Sequence, residues 1–244
     1  MYIHVLSGDS LSKPFLETGI DGELFICREC LIDGDVNADG LEAFWEMRKQ
    51  YLGSAYPHSD VDYDAQVQDE YIRLWNIADG NEVILWFESE AFCQVNLWFS
   101  IWMIRNTDAR FTIAYPKRDE GDSVFKNWSE LTENELKESF EQRVKLNHDD
   151  VYLAVQLWEA FQKGDSETLA KLAETKSDSF PTLETVGKAL SEIKTRPKKV
   201  VAKLYEEGHT EFGDLFREFC KSEPVYGFGD AQVKKLYDEV VAKS

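Results

Sequence analysis

Short apolar runs alternate with amphipathic segments over the first half of the chain. Tyr2 to Leu6, Glu23 to Arg28, Val83 to Phe87 and Arg110 to Tyr115 are predicted strands. Between them, apolar residues recur at helical spacing, which predicts at least one helix between each pair of consecutive strands. The run at 83–87 is continuously apolar, as is typical of a central parallel strand covered on both faces. The sequence therefore predicts an α/β fold, an open and mostly parallel sheet with helices on both faces.

The second half shows helical periodicity throughout. Helices are predicted over residues 133–146, 150–163, 166–174, 182–193, 198–207, 211–221 and 230–241. The polar run from Lys117 to Ser123 is typical of a linker. We therefore expect an α/β domain over 1–120 and an all-helical domain over 121–244. For the end of the chain, 187–244, the favoured interpretation is a solvated helix face and a packing element. The alternative is a winged-helix-like module whose turn is Tyr226-Gly227-Phe228-Gly229.

Charge limits the classes of partner. The chain has 46 acidic and 27 basic side chains and a formal charge of −19. Such a surface repels nucleic-acid phosphates and anionic lipid, which argues against both as partners. One segment is locally basic and contains Lys188, Lys194, Arg196, Lys198, Lys199 and Lys203. We interpret it as a solvated helix face, with nucleic-acid binding as the less favoured alternative.

Several features predict a soluble cytoplasmic protein. The chain enters its first strand without a basic leader, so no secretory signal is expected. The most apolar stretch, Val83 to Ile104, contains four polar groups that would be costly in a bilayer, so no membrane segment is predicted. Four cysteines are too few for a disulfide framework in a chain of this size, which favours reduced thiols.

Several separated motifs occur in order along the chain. They are His4–Ser10, Cys27–Asp35, Trp86–Trp98, Phe212–Arg217 and Tyr226–Gln232. Together they resemble the bacterial domain-of-unknown-function family numbered eighteen thirty-five, closely in the first half and in outline in the second. The resemblance implies a bacterial source and supplies no function.

Three loops follow predicted strands and define a candidate site. In an open parallel sheet, ligands bind outside the carboxyl ends of the strands, where helix N-termini present free amide groups. The predicted ligand-binding residues are Gly8, Asp9, Ser10, Arg28, Glu29, Glu88 and Glu90. Arg28 would take an anionic group, and the carboxylates would serve a divalent cation or proton transfer. The alternative is that Asp9, Ser10 and Ser89 cap helices and Arg28 pairs with a neighbouring carboxylate.

A hydrolase motif is incomplete. Gly8 to Leu11 spells the motif of a group in which the serine after the first strand is the nucleophile. The Asp-x-x-His pair and the Gly-x-Asn-Asp block that would activate such a serine are absent. Esterase chemistry is therefore not assigned, and the catalytic residues are unknown.

Cys27 and Cys30 form a Cys-x-x-Cys pair at a strand end. A redox pair would need a helix directly after it to lower the thiol pKa, and Asp33-Gly34 follows too soon. A zinc site would need two more Cys or His ligands, and only Cys93 is a candidate. We predict two packed, reduced thiols, and no metal is assigned.

Nucleotide motifs are missing, so the cofactor is unknown. No Gly-x-Gly-x-x-Gly follows the first strand, and no Walker lysine motif occurs. The polar residues Gln94, Asn96 and Ser100 lie in an otherwise apolar helix and are predicted to brace the strand ends.

Two functions remain open. The first is binding of a small polar or anionic ligand at the carboxyl edge of the sheet. The second is a non-enzymatic regulatory or interaction module, in which the helical half contacts a protein partner or a second copy. The sequence does not decide whether the protein is an enzyme.

Overall fold

Five strands form one sheet in the computed structural model, which describes residues 1–57 and 61–242. They are β1 (Tyr2–Leu6), β2 (Glu23–Ile26), β3 (Glu82–Trp86), β4 (Arg110–Ala114) and β5 (Val144–Lys145). The order across the sheet is β2-β1-β3-β4-β5, with β1 to β4 parallel and β5 antiparallel to β4. The predicted open and mostly parallel sheet is confirmed.

Helices surround the sheet and make up the second half. They are α1 (Asp9–Glu17), α2 (Leu41–Ala55), α3 (Asp69–Ala78), α4 (Ala91–Met103), α5 (Glu133–Glu141), α6 (His148–Gln162), α7 (Ser166–Ala173), α8 (Leu183–Ser191), α9 (Arg196–Glu206), α10 (Phe212–Ser222) and α11 (Asp230–Val241). A π-helical turn, Asp64–Gln68, precedes α3, and 3-10 turns lie at Trp128–Glu130 and Pro224–Tyr226. The all-helical character of the second half holds from α6 to α11.

The apolar run of β3 divides its side chains between two cores. Val83 and Leu85 belong to a large core, whereas Ile84 and Trp86 belong to a smaller one. Successive strand residues point to opposite faces, so a run with no polar position fits a strand covered on both sides. The smaller core is completed by α1 and α5, and the larger core by α2, α3, α4 and the helical half.

The larger core joins the two halves of the chain. Phe99 of α4 contacts Trp158 of α6, with ring centroids 4.8 Å apart. Thr182, just before α8, donates a hydrogen bond to the carbonyl oxygen of Ser89 at 2.6 Å. The helical half therefore packs against the helix that follows β3, beside the carboxyl edge of the sheet.

The helix predicted over 133–146 is shorter than expected. It ends at Glu141, and Val144 and Lys145 pair with β4 opposite Ile113 and Thr112. A strand of two residues is too short to show an alternating pattern, so it could not be predicted from the sequence. The sheet consequently extends beyond residue 120, the boundary that the polar linker had predicted.

The winged-helix alternative for 187–244 requires a β-hairpin that the structure does not have in the described residues. In the described residues from 187 to 242 there is no strand, so the β-hairpin that makes a wing is missing. Tyr226 lies instead in a 3-10 turn, where its buried side chain donates to the carbonyl oxygen of Ala189 at 3.1 Å. Burial of this aromatic side chain fixes the segment as a packed connection between α10 and α11.

Within residues 1–57 and 61–242, no helix is both long enough and apolar enough to cross a bilayer.

Close packing of α7 on α8 depends on Gly187. A Cβ atom at this position would lie 2.2 Å from the Cβ of Ala173. We expect Gly187→Ala to lower the free energy of unfolding by about 1–3 kcal/mol, because overpacking forces one helix to shift. Urea denaturation measures the change.

Gly213 provides the matched control. It is also helical, and the nearest heavy atom to its Cβ position is 3.9 Å away. Gly213→Ala should raise stability by about 0.5–1 kcal/mol, because it removes unfolded-state freedom without a clash. Equal effects of the two substitutions would contradict the packing argument.

Candidate functional site

The direction of the strand order reverses between β1 and β3, and we call the space outside the carboxyl ends of these two strands the crevice. The chain leaves β1 through α1 toward β2, whereas it leaves β3 through α4 toward β4 on the opposite side. The helices α1 and α4 pack on opposite faces of the sheet. Such a reversal is the topological switch point of an open sheet, where the diverging loops leave space for ligands.

Ser7 and Glu88 meet at this crevice. The Ser7 hydroxyl donates to Oε2 of Glu88 at 2.9 Å, and the Cys93 thiol donates to the same oxygen at 3.1 Å. The side-chain amide of Gln94 donates to the backbone carbonyl of Glu88 at 2.8 Å. These bonds hold a half-buried carboxylate at the carboxyl end of β3.

Ser7 was not among the predicted site residues. The predicted loop was Ser7-Gly8-Asp9-Ser10, and the ligand-binding residues named within it began at Gly8. The signal that could have found Ser7 is its position directly after β1, where the register pairs Leu6 with Trp86 and so places the next residues side by side.

Gly8, Asp9 and Ser10 form the start of α1. Gly8 precedes the first helical residue, and no side chain caps this end of the helix. No heavy atom lies within 4 Å of the Cβ position at Gly8, so the space beside Ser7 is open. Asp9 and Ser10 are exposed on the first turn.

Arg28 is paired with Asp9, in agreement with the alternative drawn from the sequence. Two hydrogen bonds of 2.8 Å join the guanidinium to the two carboxylate oxygens, and a third of 3.1 Å reaches the carbonyl of Gln66. A bidentate pair of this kind offsets the charge of Arg28. An anionic ligand would have to displace Asp9 to reach it.

Glu29 lies apart from the crevice and faces the protein interior. It forms an ion pair of 3.0 Å with Arg48, and both side chains are 0% exposed. Tyr63 donates to its Oε1 at 2.6 Å. Burial, followed by the charge of Glu29, raises the pKa of Tyr63 well above its usual range, so the hydroxyl stays a donor. The structure therefore places Glu29 in a buried network with these two residues.

Glu90 caps α4 and is almost completely buried. Its Oε1 accepts a hydrogen bond from the Cys93 amide at 3.1 Å, whereas Oε2 has no partner among the described residues. Burial, and then the charge of Glu88, raise the pKa of Glu90 to about 8. The crevice thus combines the Glu88 acceptor with a buried acid whose pKa is raised, an arrangement in which environment separates the roles of two carboxyl groups.

No protein-family model, curated protein or solved structure matches this chain. The site is therefore interpreted from its own geometry.

The predicted cysteine pair is packed rather than reactive. Cys27 and Cys30 are free and buried, as expected. Burial raises the pKa of each thiol to about 11, so neither is a thiolate at neutral pH. Among the described residues, no group of three or more His, Cys, Asp or Glu side chains is arranged to hold a metal ion.

The polar residues of α4 brace the strand ends, as predicted. The side-chain amide of Asn96 donates to the carbonyl of Glu29 at 2.8 Å, and its oxygen accepts from the Leu31 amide at 3.4 Å. Ser100 donates to the carbonyl of Asn96 at 2.8 Å. The two bonds of Asn96 satisfy backbone groups of the loop after β2, which would otherwise be buried without partners.

The crevice has binding groups but no histidine-activated nucleophile in the described structure. The His4 ring is buried between Trp86 and Asp21, and His209 is paired with Asp214. The Ser7 hydroxyl has Glu88 as its hydrogen-bond acceptor, which orients it. A serine nucleophile of the usual kind needs a base with a pKa near neutrality and prepared oxyanion donors. Ser7 and Glu88 thus form a pair of hydrogen-bonding groups at the crevice.

Proposed function

We propose that the protein binds a small polar ligand in the crevice between the β1–α1 and β3–α4 loops. The observation that carries the proposal is the 2.9 Å contact between Ser7 and Glu88 at the switch point of the sheet. Glu88 is half-buried and therefore acts in a lower dielectric than water, where a hydrogen bond to a charged acceptor is strong. The open space beside Gly8 gives a ligand access.

The charges favour a ligand that donates hydrogen bonds. Arg28 is already paired with the Asp9 carboxylate. Oε1 of Glu88 accepts one long bond of 3.5 Å, from the Trp128 amide, and can accept a second donor. A hydroxyl or amino group of a ligand would bind Glu88 and accept from, or replace, the Ser7 hydroxyl. We therefore rank neutral and cationic polar molecules above anions as ligands of this crevice.

A reducing, cytoplasmic environment is part of the proposal. All four cysteines are free, and three of them are buried. Such thiols are typical of proteins that work in a reducing compartment.

A thermal-shift screen tests the proposal. The probes are adenosine, ribose, glucosamine and myo-inositol, with inorganic phosphate and citrate as anions. A probe present at ten times its Kd should stabilise the protein by about 1.4 kcal/mol. For a chain of this length, that corresponds to a rise of roughly 3–6 °C in Tm.

Substitutions assign any shift to the crevice. Ser7→Ala and Glu88→Gln should reduce the shift, and Gly8→Gln should abolish it by filling the open space. Glu42→Gln, an exposed position at the start of α2, is the matched control and should leave the shift unchanged. Shifts that persist in Glu88→Gln and Gly8→Gln, or a screen with no shift from any donor-bearing probe, would refute the crevice as the binding site.

A further inference from the structure

A groove of about 750 Å³ lies between the loop after β2 and the helical half. Its walls are the loop 32–37, the turns 160–166 and 190–197, and residues 232–239 of α11. We call this cavity the helical groove. Its volume falls within the range of small-molecule sites, which often lie where two parts of a protein meet.

The floor of the helical groove is apolar. It is lined by Ile32, Val36, Leu169 and Leu190, which are each less than 10% exposed. Half-buried Phe228 and Leu236 extend this surface. An apolar chain or ring lying here would leave water without displacing a hydrogen bond.

Most of the acidic side chains on the walls have partners. Asp33 forms an ion pair of 2.6 Å with Lys235. Asp165 caps α7 by accepting from the Thr168 amide at 3.0 Å. Asp35 accepts from the Asn37 amide at 2.9 Å. These carboxylates are therefore committed to the structure of the walls.

The basic segment 188–203 supplies an ammonium group that has no hydrogen-bond or ion-pair partner among the described residues. Arg196 is paired with Glu223 at 2.8 Å, and Lys198 is paired with Glu239. Lys194 lines the helical groove and is exposed. Among the described residues, no hydrogen bond or ion pair involves it. Lys163 also lines the helical groove, but its charge acts on Asp165. Lys194 is therefore the positive group on the groove wall that is left to pair with an anion.

We propose that the helical groove binds a small amphipathic anion, an apolar chain or ring that carries one carboxylate or phosphate group. The apolar part lies on the floor, and the anionic group pairs with Lys194. The basic segment thus serves a small ligand rather than nucleic acid. This site is separate from the crevice at Ser7 and Glu88, so each can be tested without the other.

Displacement of a fluorescent probe tests the proposal. The full chain is first saturated with anilinonaphthalene sulfonate, itself an amphipathic anion, and then titrated with decanoate or decyl phosphate below their micelle concentrations. Decyltrimethylammonium, with the same chain and the opposite charge, is the control for charge. We expect both anions to displace the probe and the cation to bind more weakly. The stronger of the two anions identifies the head group.

Variants locate the binding. Lys194→Ala should weaken decanoate about two- to fivefold, the range of an exposed ion pair. Lys199→Ala, in the same segment but outside the groove, should not. Ser191→Trp places an indole in the groove and should weaken decanoate at least about tenfold, since it removes the apolar contact area.

A second substitution that fills the helical groove is available in case Ser191→Trp misfolds. Asn37→Trp fills the groove from the opposite wall and is used if Ser191→Trp loses its helical circular dichroism. Equal affinity for the decyl anion and cation, wild-type affinity in a folded filling variant, or no displacement by either anion would overturn the proposal.

Discussion

Arg48→Ala is expected to lower the free energy of unfolding by about 3–5 kcal/mol, the range for removing one partner of a buried ion pair. The guanidinium pairs with Glu29 at 3.0 Å. It also donates to the carbonyl oxygens of Cys30 and Asp33 at 2.8 Å and of Asp35 at 3.1 Å. Its removal leaves the buried Glu29 carboxylate without its counter-charge and three carbonyl groups without the bonds that Arg48 donates. Guanidinium chloride denaturation measures the loss.

Two comparisons isolate the cause. Lys49 lies on the same helix as Arg48 and forms an exposed ion pair with Asp64. Lys49→Ala should therefore lower the free energy of unfolding much less. Arg48→Met with Glu29→Gln removes both charges and should recover part of the stability, because no unpaired charge is left inside. A loss at Arg48→Ala no larger than that at Lys49→Ala would show that the buried pair is not a major source of stability.

The contribution of Glu90 to the free energy of unfolding is expected to fall as pH rises from about 5 to 8. Its pKa is raised from 4.5 to about 8 in the folded protein. Between these values the folded state binds more protons than the unfolded state, so the free energy of unfolding decreases with pH. The contribution is at most about 1.4 kcal/mol per pH unit. The destabilisation caused by ionising Glu90 reaches its full size only above the pKa of Glu90 in the folded protein.

Glu90→Gln tests the sign. The variant cannot ionise at this position, so its stability relative to the native protein should improve steadily between pH 5 and pH 8. Equilibrium unfolding at several pH values gives this difference directly. Glu184→Gln, an exposed change at the start of α8, controls for the loss of a carboxyl group elsewhere. A difference between Glu90→Gln and the native protein that stays constant with pH would contradict the assignment.

The sheet could be predicted because its strands are strongly apolar. The run from Val83 to Phe87 offers no polar position, which only a strand covered on both faces accommodates. β5 could not be predicted, because Val144 and Lys145 gain their partners only from the exposed edge of β4. Such pairing depends on tertiary position rather than on local pattern.

The sequence could predict which loops follow the strands, but not which side chains of those loops face the crevice. Arg28 and Glu29 are adjacent, and successive residues of an extended chain point to opposite sides. The pattern could not show which of them faces inward. A signal was present in α2, where Arg48 follows Phe44 by four residues and so lies on the buried face of that helix. A buried cation requires a buried anion, so an acidic residue such as Glu29 was to be expected in the interior rather than at the carboxyl edge of the sheet.

The short antiparallel strand β5 also sets where the chain can be divided. A fragment ending at residue 120 would leave β4 as an edge with unpaired backbone groups, and would remove Trp128 and Leu136 from the smaller core. Open, apolar sheet edges recruit other strands, so such a fragment should aggregate. A fragment extended past Leu146 would keep that edge covered and is the better choice for isolating the sheet.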